Sequence, residues 1–147
     1  MKIILWFIII MMTLTVVTSS ADIKKYFKYA TDSANYDDLK PSAKIVFNDM
    51  IDYCHKNSQE FLITSFISTL AEDDALERVS ASHREGRAFD LSISNWNDEQ
   101  INNFLEYYSN TSPLKTLGAF SITDSQQRLV VRHNSGFGDH IHVQVHP

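Results

Sequence analysis

The chain has 147 residues and a formal net charge of -5, from 13 Lys and Arg against 18 Asp and Glu, which allows one hydrophobic core and one domain. No basic run accompanies that balance, which excludes the cationic face a nucleic-acid partner would need for its phosphates. Cys54 is the single cysteine, so no intramolecular disulfide can form, and stability has to come from packing and metal.

Met1 and Lys2 precede an uncharged run over 3–17, and Thr18, Ser19, Ser20 and Ala21 follow with the small residues a signal peptidase reads. The run is roughly 15 residues, short of the roughly 20 that a helix needs to cross a bilayer, so cleavage after Ala21 is expected over an uncleaved anchor. Released, the domain is secreted or periplasmic; anchored, it still lies outside the cytoplasm.

Residues 22–39 are polar and Tyr-rich and read as an N-terminal extension, with the domain proper at 40–147. From Lys40, Pro41 and Ser42 a helix starts whose apolar residues Ile45, Val46, Met50, Ile51 and Cys54 share one face at helical spacing. Residues 61–67 are rich in β-branched and aromatic side chains and read as a buried strand, and 72–78 as a charged surface loop or helical turn. A second helix is signalled by Asn95, Trp96, Asn97 and Asp98 and by the stripe Ile101, Phe104, Leu105 and Tyr108, ending at 110–113. Strands at 117–122 and 128–132 follow, then a Gly-bearing loop at 134–138 and a last strand. The order implies an α+β domain with a mainly antiparallel sheet and helices packed on one face.

Strand alternation sorts the polar residues. Over 88–93, Ala88, Asp90 and Ser92 share one face, and Phe89, Leu91 and Ile93 the other, as where one side is core and one lines a cleft. In the last strand His140, His142, Gln144 and His146 share a face against Ile141, Val143 and Val145. His83 lies seven residues before Asp90, with Gly86 between them to let a loop fold back toward the strand. If the last strand lies beside the first, His83, Asp90 and His142 converge as two imidazoles and a carboxylate, a zinc donor set with a fourth position open. The bland alternative is an Asp90 carboxylate paired with Arg87 or Arg132, which leaves the histidines unexplained.

Ser82, His83, Gly86, Ala88 and Asp90 form Ser-His-x-x-Gly-x-Ala-x-Asp, and Asp139 and His142 form Asp-x-x-His. Together these resemble the zinc peptidase family of D-alanyl-D-alanine carboxypeptidases and L-alanyl-D-glutamate endopeptidases, which includes phage endolysins. His140, Ile141 and His142 also resemble the His-x-His of the wider superfamily, with the lysostaphin-type peptidases and the hedgehog signalling domain. The likeness covers roughly 61–145. It implies His83, Asp90 and His142 as ligands of one zinc per chain, a peptidoglycan stem peptide as substrate, and a monomeric hydrolase acting on the cell wall. The general base is Asp139 by resemblance or His140 by strand alternation, with Asp139 preferred because Gly138 can bend the backbone. Many family members carry an Arg on the strand before the signature, where this chain has Ile67. Arg84, Arg87 and Ser82 then become the candidates for charge stabilisation or substrate binding. The alternative function is a catalytically inactive, zinc-stabilised peptide- or wall-binding module of the same fold. If the leader is cleaved as read, N-terminal sequencing of protein from its native cell finds a chain starting near Asp22 in the soluble fraction; an intact Met1 in membranes means an anchor.

Overall fold

The computed structural model describes residues 20–78, 80–121, 124–135 and 138–147. Among them no helix is long and apolar enough to cross a membrane, and the expected leader, up to residue 19, lies outside them.

Helix α1 (Ser20–Ile23) and two short 3-10 turns, Lys24–Tyr26 and Asp32–Asp38, lead into helix α2 (Pro41–Lys56). The segment expected as an extension is part of the core: Ile23, Tyr26, Phe27 and Leu39 are all buried. Pro41 sits in the first turn of α2, where its missing N–H costs no hydrogen bond. The buried face of α2 is Ala43, Val46, Phe47, Met50, Ile51 and Cys54. Ile45, expected on that face, is 55% exposed. Successive helical residues turn by about 100°, which carries Ile45 to the side opposite the stripe that Ala43 and Phe47 complete. Phe47 is the hub, its ring 5.9 Å from Phe27, 5.2 Å from Phe61, 6.2 Å from Phe66 and 5.4 Å from Phe89. Cys54 is fully buried in the same face, and burial pushes its thiol up to about 12, out of reach of redox chemistry at neutral pH.

Strand β1 (Ile63–Ser65) is shorter than expected, and its pairing with the next strand shifts register between Ile63 and Ser65. The shift puts Ser65 opposite Asp90. Residues 72–78 fall partly in helix α3 (Leu70–Ala75), whose Thr69 and Glu72 make a reciprocal capping box. After strand β2 (Ala88–Ser92), Asn97 and Gln100 make a second capping box at the start of helix α4 (Asp98–Glu106), which continues through a π turn at Tyr107–Thr111. Tyr53 of α2 meets Phe104 at 5.3 Å and Tyr108 at 5.5 Å, joining the two helices.

The strand expected at 117–122 is a two-residue piece, β3 (Ala119–Phe120), paired only with β4 (Gln127–Arg128) and not with the main sheet. Strands β5 (Val130–Ser135) and β6 (Gly138–Gln144) form a hairpin, so β5 runs past Arg132 into the stretch expected as loop; Gly136 and Phe137 of that loop lie outside the described residues. The main sheet is four-stranded and antiparallel, in the order β1-β2-β6-β5. Its apolar face, with Phe89, Leu91, Ile141 and Val143 fully buried, meets the helices in one cluster. The molecule is thus a small α+β domain, and its opposite sheet face is left for polar side chains.

Replacing Phe47 by Ala should lower unfolding free energy by about 3 to 5 kcal/mol, whereas Ile45→Ala should change it by less than about 0.5 kcal/mol. Urea denaturation of the two variants measures the contrast.

Candidate metal centre

Cross-strand register brings the ligand candidates together. Asp90 pairs with His142 and Ser92 with His140 between β2 and β6, so these four side chains share the face away from the core. His83 reaches the same place from the turn before β2. Gly86 closes that turn at φ 67, and its carbonyl accepts the Lys40 amide at 2.9 Å. A Cβ on Gly86 would lie 2.4 Å from the Asp38 carbonyl oxygen, so only glycine lets segment 38–40 pack against the loop and hold it.

His83 is buried, and its Nδ1–H donates to the Phe66 carbonyl at 2.6 Å. A carbonyl can only accept, so Nδ1 carries a proton and Nε2 is the nitrogen that faces the cluster, where it can bind a cation in place of a proton. That Nε2 lies 3.3 Å from Asp90 Oδ1 and 3.3 Å from His142 Nδ1. Tetrahedral bonds of about 2.0 to 2.1 Å place neighbouring ligand atoms about 3.3 to 3.4 Å apart, so two edges of the triangle already have the required length. The third edge, His142 Nδ1 to Asp90 Oδ1, is 2.8 Å, the length of a hydrogen bond whose proton a metal would displace. The three ligand atoms lie within 4.8 Å of one another, and the group could hold a metal ion.

The carboxylate at the centre is itself supported. Burial alone would raise the Asp90 carboxyl, but hydrogen bonds from His142 and His83, and their charge, hold it far below the ordinary carboxylate value. Its other oxygen, Oδ2, faces Arg78 Nη2 at 3.4 Å. Arg78 also donates to Ser65 Oγ at 2.8 Å and lies 3.5 Å from Asp73. Asp73 is buried in α3, accepts from Ser68 Oγ at 2.5 Å and from Arg84 Nη1 at 2.6 Å, and has its carboxyl lowered although burial opposes it. Arg78 and Asp73 were not singled out by motif, since their contacts join α3 and the loop after it to Ser65 of β1 and Asp90 of β2.

The remaining candidates divide. Arg84 is turned to Asp73, and Arg87 to Glu85 at 2.7 Å and the Val145 carbonyl at 2.9 Å; neither lines the cleft. The pairing of Asp90 with Arg87 or Arg132 is not found; Arg78 takes that place. Ser82 does line the cleft, is 1% exposed, and its Oγ is the one buried side-chain polar atom without a hydrogen-bond partner among the described residues. Asp139 is on the opposite strand face from His142, and Arg132 grips both its oxygens through Nε at 3.0 and 3.2 Å and through Nη2. That pairing lowers its carboxyl. His140 sits on the ligand face, where its Nδ1–H donates to the Gly138 carbonyl at 3.0 Å and leaves Nε2 as an acceptor.

His133 completes a row of rings that the expected end of its strand at Arg132 left out. It pairs with His140 across β5 and β6, and its ring lies 5.5 Å from both His140 and His142. Desolvation by the surrounding protein, with His142 and His140 nearby, pushes its basicity down although the residue is exposed at one side. Extending the alternation from Val131 by one more step would have found it. His133, His140, His142, His83, Asp90 and Ser82 all line one cleft of about 760 Å³.

No family model, curated protein or solved structure matches the chain.

A divalent metal at 100 times its dissociation constant should stabilise the fold by about 2.7 kcal/mol, raising the melting temperature by several degrees. His83→Ala, Asp90→Ala and His142→Ala should each abolish that rise in a thermal melt, while Ile45→Ala keeps it.

Proposed function

We propose that the protein is an exported zinc metallopeptidase that hydrolyses a peptide bond in peptidoglycan stem peptides, of the D-Ala-D-Ala carboxypeptidase or L-Ala-D-Glu endopeptidase type. The observation that carries this reading is the donor triangle of His83, Asp90 and His142 on the wall of an open cleft, with two edges of tetrahedral length. Two nitrogens and one carboxylate oxygen suit zinc, and three protein donors leave a position for water, as catalytic zinc sites do. When bound, zinc supplies a Lewis acid that acidifies water and polarises the scissile carbonyl.

The chain's own groups account for the remaining work. His140 is taken as the general base: its Nε2 is an acceptor on the ligand face, whereas the Asp139 carboxylate, though it too lines the cleft, is engaged by Arg132. Proton transfer by such a group contributes about 10²- to 10⁴-fold. His133, packed against both His140 and His142, holds these rings in the row. Arg78 takes the charge-stabilising part expected of Arg84 or Arg87, because it is the arginine that lines the cleft next to Asp90.

Incubation of the zinc-loaded protein with purified peptidoglycan, with and without chelator, tests the reading by mass spectrometry of the released fragments. Chelator-sensitive cuts within stem peptides are expected. No cut by protein that holds its zinc makes it a binding module, and cleavage of glycan strands overturns both. His140→Ala should keep zinc and lose about 10²- to 10⁴-fold in turnover, with Asp139→Asn close to wild type; the reverse pattern returns the base to Asp139.

A further inference from the structure

The cleft extends beyond the groups that the proposed chemistry uses. Its far rim is built by the segment after α1, where Phe27 bridges to Ile63 in parallel and the Lys28 amide donates to the Ile63 carbonyl at 2.9 Å. Buried Tyr26 and Phe27 anchor this segment, so the next two residues, Lys28 and Tyr29, are held against the edge of β1 and line the cleft with Leu76, Glu77 and Arg78. Their position is therefore set by the core rather than by a free chain end.

The charges along this rim are unequal in availability. Arg78 is shared among Asp73, Ser65 and Asp90. Lys28 has only the ring of Tyr29 beside its Nζ, 5.4 Å from the centroid, and no carboxylate among the described residues pairs with it. Tyr29 is 53% exposed and Leu76 is 36% exposed, which offers an apolar surface beside that cation. Also lining the cleft is the buried Ser82 Oγ, a polar group without a hydrogen-bond partner among the described residues and one that a ligand can satisfy. Glu77 adds one negative charge to the rim and is exposed.

We infer that Lys28 and Tyr29 form a substrate subsite for a carboxylate-bearing residue of the peptide, next to the His83, Asp90 and His142 cluster. The ammonium pairs with the carboxylate while the Tyr29 ring covers the aliphatic part of the same residue, and Ser82 Oγ bonds the peptide backbone nearer the cluster. The inference rests on the peptidase reading for the identity of the peptide, and it goes beyond that reading by assigning substrate preference to the N-terminal segment. The substrate class is an acidic peptide, and neutralising its carboxylate as an amide removes the recognised charge.

The test compares fluorescently labelled L-Ala-γ-D-Glu-L-Lys with the same peptide amidated at the Glu α-carboxylate. Binding is measured by anisotropy to the whole chain in chelator, so that the readout does not depend on turnover, and KM and kcat are then measured with zinc. The wild type should bind the acid more tightly than the amide by about 3- to 10-fold, as for a partly exposed ion pair. Lys28→Gln should erase that difference by weakening acid binding alone, with kcat within about twofold of wild type, and Lys28→Arg should restore it. Tyr29→Ala should weaken both peptides, and Glu77→Gln should not weaken the acid. Equal affinity of the wild type for acid and amide, binding of neither, or an unchanged preference in Lys28→Gln overturns the subsite. A Lys28-dependent preference without zinc-dependent cleavage keeps the subsite and rejects the peptidase reading.

Discussion

A carboxylate withdrawn from water and kept ionised is the constraint on which the rest of the cleft depends. Asp90 is 6% exposed, and transferring such a charge out of water costs several kcal/mol unless it is fully compensated. The two imidazoles compensate one oxygen and Arg78 the other. Arg78 needs its own counter-charge, which Asp73 provides, and Asp73 is held in turn by Ser68 and Arg84. The charge network thus passes from β2 into the loop after α3 and into α3 itself. Removing Asp90, Arg78 or Asp73 leaves its charged neighbour less compensated, which couples the elements that carry the network.

The sheet's two faces divide the labour. Aromatic packing around Phe47 makes one face rigid, and that rigidity is what lets a register as simple as Asp90 opposite His142 become a defined ligand geometry. Outer partners finish the orientation: the Phe66 carbonyl chooses the tautomer of His83, and the Gly138 carbonyl that of His140. Both are backbone groups near the ends of strands, where the pairing of the sheet has released them to accept from a side chain.

Much of this was legible in the residues because period-two alternation is a strong signal in short strands. It correctly put Asp90 and His142 on one face and Phe89, Leu91, Ile141 and Val143 on the other. Nearness in sequence was a poorer guide. Arg84 and Arg87 lie beside His83 in the chain but are turned away by Asp73 and Glu85, while Arg78 arrives through the fold of α3. The core role of Tyr26 and Phe27 was hidden by the polar residues around them, since two buried side chains before a 3-10 turn leave no repeating pattern to read. Ile45 shows the same limit from the other direction: hydrophobicity alone does not select a face, and the helical turn carries Ile45 away from the side that Phe47 fills.

Strand β5 lies at the margin of the four-stranded sheet, and its outer row of backbone groups has no neighbouring strand in that sheet. Such an edge invites another chain to add on and propagate an aggregate. Here the edge carries Arg132, His133 and Asn134, all exposed, and the Arg132–Asp139 ion pair stands over it. A second copy docking edge to edge would have to strip water from that pair and from its own. The ion pair that occupies the Asp139 carboxylate at the cleft therefore also makes this edge costly for a second copy to pair with.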